Sequence, residues 1–268
     1  MRVGFLGPKA SYSHEAAQKI FPSFEKKAFD SISLAISAVE KNEVDYSVIP
    51  IENSTGGSIT VTLDELVEKN VFISSEFLLP INHVFLSNSK KNKIDKIYSH
   101  AQGFAQCRNW IENKYPKAEL IEVQSTSKAA QLSFEEENSA AIASEFAAKE
   151  FSLTILEKNI SDSKSNETRF VVISNKENSP QGKNKTSIVF GVKDKPGALF
   201  DAIESFKRFG VNMTKIESRP SRKKNWEYLF FVDLDGNTTQ KNILSALKEL
   251  QEHCKDFKNL GSYSRVKT

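Results

Sequence analysis

Through the first two thirds of this chain, short apolar runs each end in a cluster of Ser, Thr, Asn, Gln or Gly and then open a helical pattern. This recurrence restricts the fold more than any other feature. Runs at 2–6, 46–51, 97–99, 120–123 and 140–143 follow the rule, with further apolar runs at 71–79, 82–86 and 153–156. The intervening helices are expected at 13–21, from Asp30 or Ser31 through Lys41, at 62–69, through Trp110, after Ser125-Thr126-Ser127, and from Ser144 through Phe151. In the second of these, Leu34, Ile36 and Val39 are available to a buried side. Strands alternating with helices at such spacing specify an α/β domain with a largely parallel sheet.

The polar strand ends carry a functional reading and a plain one. Free backbone N–H groups at helix starts, with nearby hydroxyls and amides, make cradles for anions. In open α/β sheets ligands settle outside the carboxyl ends of strands, so several such ends imply a cleft between two lobes. The plain reading is that each Ser or Thr is only an N-cap.

Residues 175–185 are rich in Lys, Asn, Ser, Pro and Gly and read as a linker, and beyond them the pattern changes. Strands are expected at 186–192, 212–218, 227–233 and 257–264, with helices at 198–209 and 238–253 and a turn at 220–225. Ile243, Leu244, Leu247 and Leu250 share one face of the last helix. The order βαββαβ is the ferredoxin-like arrangement.

Length and composition narrow the class. At 268 residues there is room for two domains. A net charge of +3, with only short lysine clusters such as Lys90-Lys91 and Lys223-Lys224, gives no basic arm for nucleic acid. No apolar run approaches the ~18 residues of a membrane span, and Met1 to Pro8 does not read as a secretory signal. Cys107 and Cys254 lie far apart, as reduced thiols in a cytoplasmic protein would. Gly4-Phe5-Leu6-Gly7 lacks the dinucleotide spacing and no phosphate-loop motif occurs. His14, His83, His100 and His253 have no paired ligand spacing, so neither a metal nor a cofactor is expected. His14 or His100 beside a serine has no elbow motif to support nucleophilic catalysis.

Asn166-Glu167-Thr168-Arg169-Phe170 lies between the serine-rich loop 161–165 and an apolar strand at 170–173. A hydroxyl and a guanidinium are expected side by side at the mouth of a buried sheet, where arginine can take a carboxylate in two-point fashion. An ordinary salt bridge on a surface turn is the alternative. A cofactor-free cleft of hydroxyls, amides and one arginine suits a small organic acid, and composition and spacing do not separate an enzyme from a binding module.

The blocks resemble one family along essentially the whole chain. Asn166-Glu167-Thr168-Arg169-Phe170 resembles the Thr-Arg-Phe signature of the prephenate dehydratase family. Gly7-Pro8-Lys9-Ala10-Ser11-Tyr12-Ser13 resembles its opening motif, and Pro50-Ile51-Glu52-Asn53-Ser54-Thr55-Gly56-Gly57 its Pro-Ile/Val-Glu-Asn-Ser block. His100-Ala101-Gln102-Gly103-Phe104-Ala105-Gln106-Cys107 is similar to its His-Pro-Gln block, and Ser125-Thr126-Ser127-Lys128-Ala129-Ala130 to its Ser/Thr-rich helix start. Gly197-Ala198-Leu199 and Glu217-Ser218-Arg219-Pro220 resemble the two effector motifs of an ACT domain. Ala10, Ser11 and Ala101 stand where the family has glycine, threonine and proline; Ala10 implies that its turn is made with negative φ.

The resemblance implies a two-lobed catalytic domain of the type II periplasmic-binding-protein kind over 1–175, with lobe 1 at about 1–76 plus 158–175 and lobe 2 at about 77–157. A linker at 176–185 and a ferredoxin-like ACT domain at 186–268 complete it. The implied reaction takes prephenate to phenylpyruvate, water and carbon dioxide, driven by aromatisation. Arg169 is expected to grip the pyruvyl carboxylate and Thr168 to bond the departing hydroxyl. Ser11, Tyr12, Ser13, Asn53, Ser54 and Thr55 are expected on one wall and Gln102 and Ser127 on the other. Phe170 packs beside them, and charge keeps Glu52 off the substrate.

The ACT resemblance implies phenylalanine as an allosteric effector, bound through Gly197, Ala198, Leu199, Asn212, Glu217, Ser218, Arg219 and Pro220. Glu217 and Arg219 also admit a simpler reading as a strand-end ion pair. Paired ACT sheets imply a homodimer or a dimer of dimers. An arogenate dehydratase, a non-catalytic two-lobed anion-binding protein and an amino-acid sensor are the rival readings.

Overall fold

The apolar run that opens the chain forms β1 (Arg2–Leu6), and its polar end leads into α1 (Tyr12–Ile20), then β2 (Glu25–Phe29), α2 (Ile32–Glu40) and β3 (Tyr46–Asn53). A short β4 (Gly57–Ser58) precedes α3 (Thr60–Glu68), β5 (Phe72–Pro80) and β6 (Val84–Ser87). Next come β7 (Lys96–Ser99), α4 (Ala101–Gln106), α5 (Arg108–Lys114), β8 (Glu119–Glu122) and α6 (Thr126–Glu135). They are followed by β9 (Ser139–Ala143), α7 (Glu145–Glu150), β10 (Thr154–Glu157) and β11 (Glu167–Ser174). The C-terminal part contains β12 (Lys185–Val192), α8 (Ala198–Arg208), β13 (Met213–Pro220), β14 (Tyr228–Asp235), α9 (Lys241–His253) and β15 (Cys254–Arg265). This computed structural model describes residues 1–163, 165–178, 184–221 and 227–266. The Lys223-Lys224 pair, most of the turn expected at 220–225 and linker residues 179–183 lie outside the described residues.

The chain forms two units, one of residues 1–35, 48–60 and 78–170, the other of 36–47, 61–77 and 171–268. In the first, β1 and β2 pair in parallel. A separate five-stranded sheet runs β10-β6-β9-β7-β8. There β7 is parallel to β8 and β9, whereas β6 is antiparallel to β9 and β10. The expected parallel pairing therefore holds from β9 through β7 to the β8 edge and gives way at the β6–β10 end. Both faces are covered: Ala129, Ala130, Ala141, Ala143 and Ala147 let α6 and α7 approach one side, while Phe85, Ile97, Ile142 and Ile111 fill the other. Each of those large side chains, removed from water, contributes about 1.5–3 kcal/mol.

β2 has no counterpart among the expected strands. Its Glu25-Lys26-Lys27 sequence is charged and none of its residues is fully buried, so no apolar run announces it. The helix expected through Trp110 is two helices, broken at Cys107. Ile36 and Val39 of α2 are buried as expected, but Leu34 is 53% exposed.

In the second unit β12, α8, β13, β14, α9 and β15 realise the βαββαβ order, with antiparallel sheet order β13-β14-β12-β15. Alternation along β12 and β14 sends Ile188, Phe190, Val232 and Leu234 toward α8 and α9. The register aligns Glu217, Phe231 and Val189, and likewise Arg219, Leu229 and Gly191, so these belong to the opposite face. That face holds α3. Arg219 Nη2 lies 3.1 Å from Asp64 Oδ1, and both side chains are largely buried. Lys258 Nζ donates to the carbonyls of Leu66 (2.7 Å) and Lys69, supplying a positive charge to the negative end of the helix. Farther along β15, Gly261 adopts φ +124° and a Cβ there would sit 2.5 Å from the Ile73 carbonyl oxygen.

Candidate active site

The site begins at the turn after β1. Gly7-Pro8 is a cis peptide bond, and Ala10 has φ 64°, in the left-handed region. The negative φ expected from the absence of glycine is therefore wrong: the turn keeps its left-handed residue and fills it with alanine. What holds it is visible. The Ala10 N–H donates to His14 Nδ1 at 3.0 Å, and the His14 ring stacks on Phe5 with centroids 4.6 Å apart. Burial, the largest influence, lowers the His14 pKa and keeps that nitrogen an acceptor. Ser11 caps α1 by accepting the His14 N–H, so the N-cap reading of this serine is correct.

The end of β3 sets the polarity of the whole site. Asn53 Oδ1 accepts the backbone N–H groups of Thr55 (3.0 Å) and Gly56 (2.9 Å). Backbone N–H groups can only donate, so the amide orientation is fixed. The Nδ2 group then faces Thr168 Oγ1 at 2.9 Å and Asn166 Oδ1 at 2.8 Å. Thr168 must accept that bond, which leaves its own proton for another acceptor. Polarity passes onward: Asn166 Nδ2 donates to Gln106 Oε1 (2.9 Å), and His83 Nε2 lies 2.9 Å from the same oxygen. The His83 Nδ1 atom is 3.1 Å from the Tyr12 hydroxyl, which also reaches the Asn82 carbonyl at 3.0 Å.

A cavity of about 340 Å³ opens on these groups. Leu6 to Pro8, Ser11, Tyr12, Ser13, Asn53, Asn166 and Thr168 line it, as do His83, His100, Gln102, Gln106, Ser125 and Thr126. Residues that follow strands of both sheets contribute to it. Among the described residues no Lys, Arg, Asp or Glu lines it.

The expected residues divide into two sets. Ser11, Tyr12, Ser13, Asn53, Gln102 and Thr168 come together at the cavity. Ser54, Thr55, Ser127, Arg169 and Phe170 do not line it. Ser54 ties β3 to β11, its N–H donating to Glu167 O at 2.9 Å and its Oγ accepting the Glu167 N–H at 2.9 Å. Thr55 bonds back to Asn53, and Ser127 donates to the Lys9 carbonyl. Phe170 is core. Arg169 and Thr168 are not side by side: adjacent strand residues point to opposite faces, and Arg169 Nη1 lies 3.6 Å from Glu52 Oε2 while Thr168 meets Asn53.

Gln106 and Asn166 sit inside the quoted motifs and their amides could have been picked out there. His83 has no local motif; only the fold brings it to Tyr12, 71 residues away in sequence.

The sequence model of prephenate dehydratase matches residues 3–178 and that of the ACT domain matches residues 186–252. The chain belongs to the prephenate dehydratase family. A bifunctional chorismate mutase/prephenate dehydratase of Aquifex aeolicus is 45% identical over 99% of this chain and 74% of its own length. A prephenate dehydratase of Lactococcus lactis subsp. cremoris is 37% identical over 98% of both chains. The crystal structure of an Arthrobacter aurescens prephenate dehydratase in complex with L-Phe superposes with a TM-score of 0.90, at 31% identity over 99% of this chain and 90% of that one.

Within the ACT domain, Gly197 takes φ +80° and opens α8, and Gly197, Ala198 and Leu199 line one cavity of about 540 Å³. Arg219 and Pro220 line another of about 410 Å³; Glu227 and Lys255 border both. Glu217 and Arg219 do not pair with each other. Glu217 lies 3.3 Å from Lys215, and Arg219 bonds Asp64. Asn212 donates to Asp235 Oδ2 at 2.7 Å, and Ser218 is exposed.

Proposed function

We propose that this prephenate dehydratase family member converts prephenate to phenylpyruvate, water and carbon dioxide in its N-terminal region, taken as 1–175, and that phenylalanine bound by the ACT domain, 186–268, restrains it. The observation that carries the catalytic part is the Asn53 amide, whose fixed polarity makes Thr168 an acceptor toward Asn53 and a donor toward the cavity. A positioned donor beside a leaving hydroxyl stabilises the charge that develops on its oxygen. The remainder of the driving force is aromatisation of the ring, with the bond to the departing carboxylate supplying the electrons that complete it. Written for the dianion, prephenate and one proton give phenylpyruvate anion, carbon dioxide and water.

Carboxylate recognition falls in this reading to the N–H and hydroxyl groups at the starts of α1 and α6, where Ser11, Ser13, Ser125 and Thr126 line the cavity. Arg169, paired with Glu52 on the other face of β11, supports the strand ends that carry Asn53 and Thr168. We take the regulatory unit to be a homodimer formed through the ACT domains, or a dimer of two such dimers, in the cytoplasm. The two effector motifs line separate cavities of one chain, which supports an effector site completed by a second chain.

Purified protein supplied with prephenate and, separately, with arogenate tests the assignment by the appearance of phenylpyruvate or phenylalanine. Phenylpyruvate from prephenate, reduced by added phenylalanine, is the expected result. Phenylalanine formed from arogenate at the higher rate would replace prephenate with its amino analogue.

A further inference from the structure

The cleft has a charge problem. Its proposed substrate is a dianion, yet among the described residues the lining contains no lysine or arginine, and its titratable groups are Tyr12, His83 and His100. We infer that His83 takes up a proton when the dianion enters, becoming the cation that the cavity otherwise lacks. The inference rests on the function proposed above.

Hydrogen-bond geometry singles out His83. The chain of amides that starts at the Thr55 and Gly56 N–H groups makes Gln106 Oε1 an acceptor, so His83 Nε2 carries hydrogen. On the other side of the ring, the Tyr12 hydroxyl has one proton and two acceptors within reach, Asn82 O at 3.0 Å and His83 Nδ1 at 3.1 Å. With neutral His83, one of these acceptors goes without that proton. With imidazolium, Nδ1–H donates to the Tyr12 oxygen, the Tyr12 proton goes to Asn82, and Nε2–H stays on Gln106. Every partner is then satisfied.

What opposes the cation is burial, which lowers the His83 pKa, while the Gln106 bond works the other way. Other titratable groups near this cluster are engaged or uncharged. Tyr12 on α1 is pushed well above its ordinary pKa by burial, and the Cys107 thiol after α4 is raised to about 12. Glu15 on α1 pairs with Lys19, and Asp162, whose N–H bonds Gln106 O, accepts the Asn109 N–H. His100 accepts the Gln102 N–H through Nδ1 as the cap of α4, so a second proton there would break the cap. Two carboxylates in the cavity favour the charged form of His83. Uptake of one proton makes apparent affinity fall by up to about tenfold per pH unit as pH rises between the free and bound pKa values.

Prephenate binding to Thr168→Ala protein, chosen to slow turnover, is followed by titration calorimetry near neutral pH in buffers of different ionisation enthalpy. The expected result is uptake approaching one proton, lost in His83→Asn and His83→Gln on the same background and retained in His100→Gln. Uptake near zero in the parent, or uptake unchanged by both His83 substitutions, overturns the inference. Should those variants fail to fold, the ring-nitrogen NMR shifts of His83 decide it: shifts that remain those of the neutral Nε2–H tautomer with prephenate bound also overturn it. Wild-type turnover of prephenate, together with binding to the Thr168→Ala protein that takes up no proton, defeats only this inference, whereas no binding and no turnover defeats the proposed function.

Discussion

Asn53→Asp is the most searching perturbation of the site, because it changes one atom's hydrogen-bonding sense and almost nothing in size. The carboxylate keeps the bonds from the Thr55 and Gly56 N–H groups. Its other oxygen, however, replaces a donor that serves Asn166 Oδ1, Thr168 Oγ1 and the Glu167 carbonyl. Thr168 then turns its proton toward residue 53 and presents only lone pairs to the cavity. Asn166 can invert its amide, but its oxygen would then face Gln106 Oε1, and the Glu167 carbonyl still faces the carboxylate, so two mismatches remain, at about 1–3 kcal/mol each. Loss of a positioned donor from the transition state removes about 10²–10³ in kcat. Asn53→Ala deletes more bonds yet leaves the Thr168 proton free, so its kcat should fall only about tenfold, within the range of a single net hydrogen bond. Steady-state kinetics at saturating prephenate, on variants checked for folding by circular dichroism, isolates kcat from the added repulsion of the aspartate. An alanine variant slower than the aspartate variant, or an aspartate variant within about threefold of wild type, would refute the donor-polarity reasoning.

Three further outcomes are expected. Gly261→Ala combines a left-handed φ with a Cβ pressed against the Ile73 carbonyl, and should lower stability by about 1–3 kcal/mol in chemical denaturation; an unchanged midpoint would contradict that geometry. Arg219→Met removes a charged partner from the largely buried Asp64 and should lower stability by up to about 3–5 kcal/mol in chemical denaturation; an unchanged midpoint would contradict the pairing. Because the folded-state pKa of His14 is depressed, its contribution to stability is present above its ordinary value near 6.5 and lost as pH falls through the lower folded value. The decline in Tm from pH 7 toward pH 5 should therefore be shallower in His14→Asn than in wild type.

How much of this was legible beforehand depended on range. Strands such as Tyr46–Asn53 and helix caps such as Ser11, Ser125 and Ser144 were readable because their signals are local. Ser11 and Ser125 each cap a helix and also line the cavity, so the cap reading does not keep them from it. β2 was invisible because Glu25-Lys26-Lys27 is charged, although its backbone pairs fully with β1. The relation of Thr168 to Arg169 was misread by starting the strand at Phe170: once Glu167 begins it, alternation separates the two side chains. His83 and the buried Arg219–Asp64 pair had no local signal, because sequence distance hides the neighbours that give them meaning.

The packing of α3 bears on how such proteins can recombine. Its seat is the C-terminal sheet, through Arg219 and Lys258, although it directly follows the Asn53 block in the chain. A regulatory tail transplanted from one relative to another would bring its own arginine and lysine but meet a foreign helix. Successful chimeras should therefore carry the sheet-facing side of α3, with Asp64, along with the tail, which makes the heritable regulatory module discontinuous in the gene.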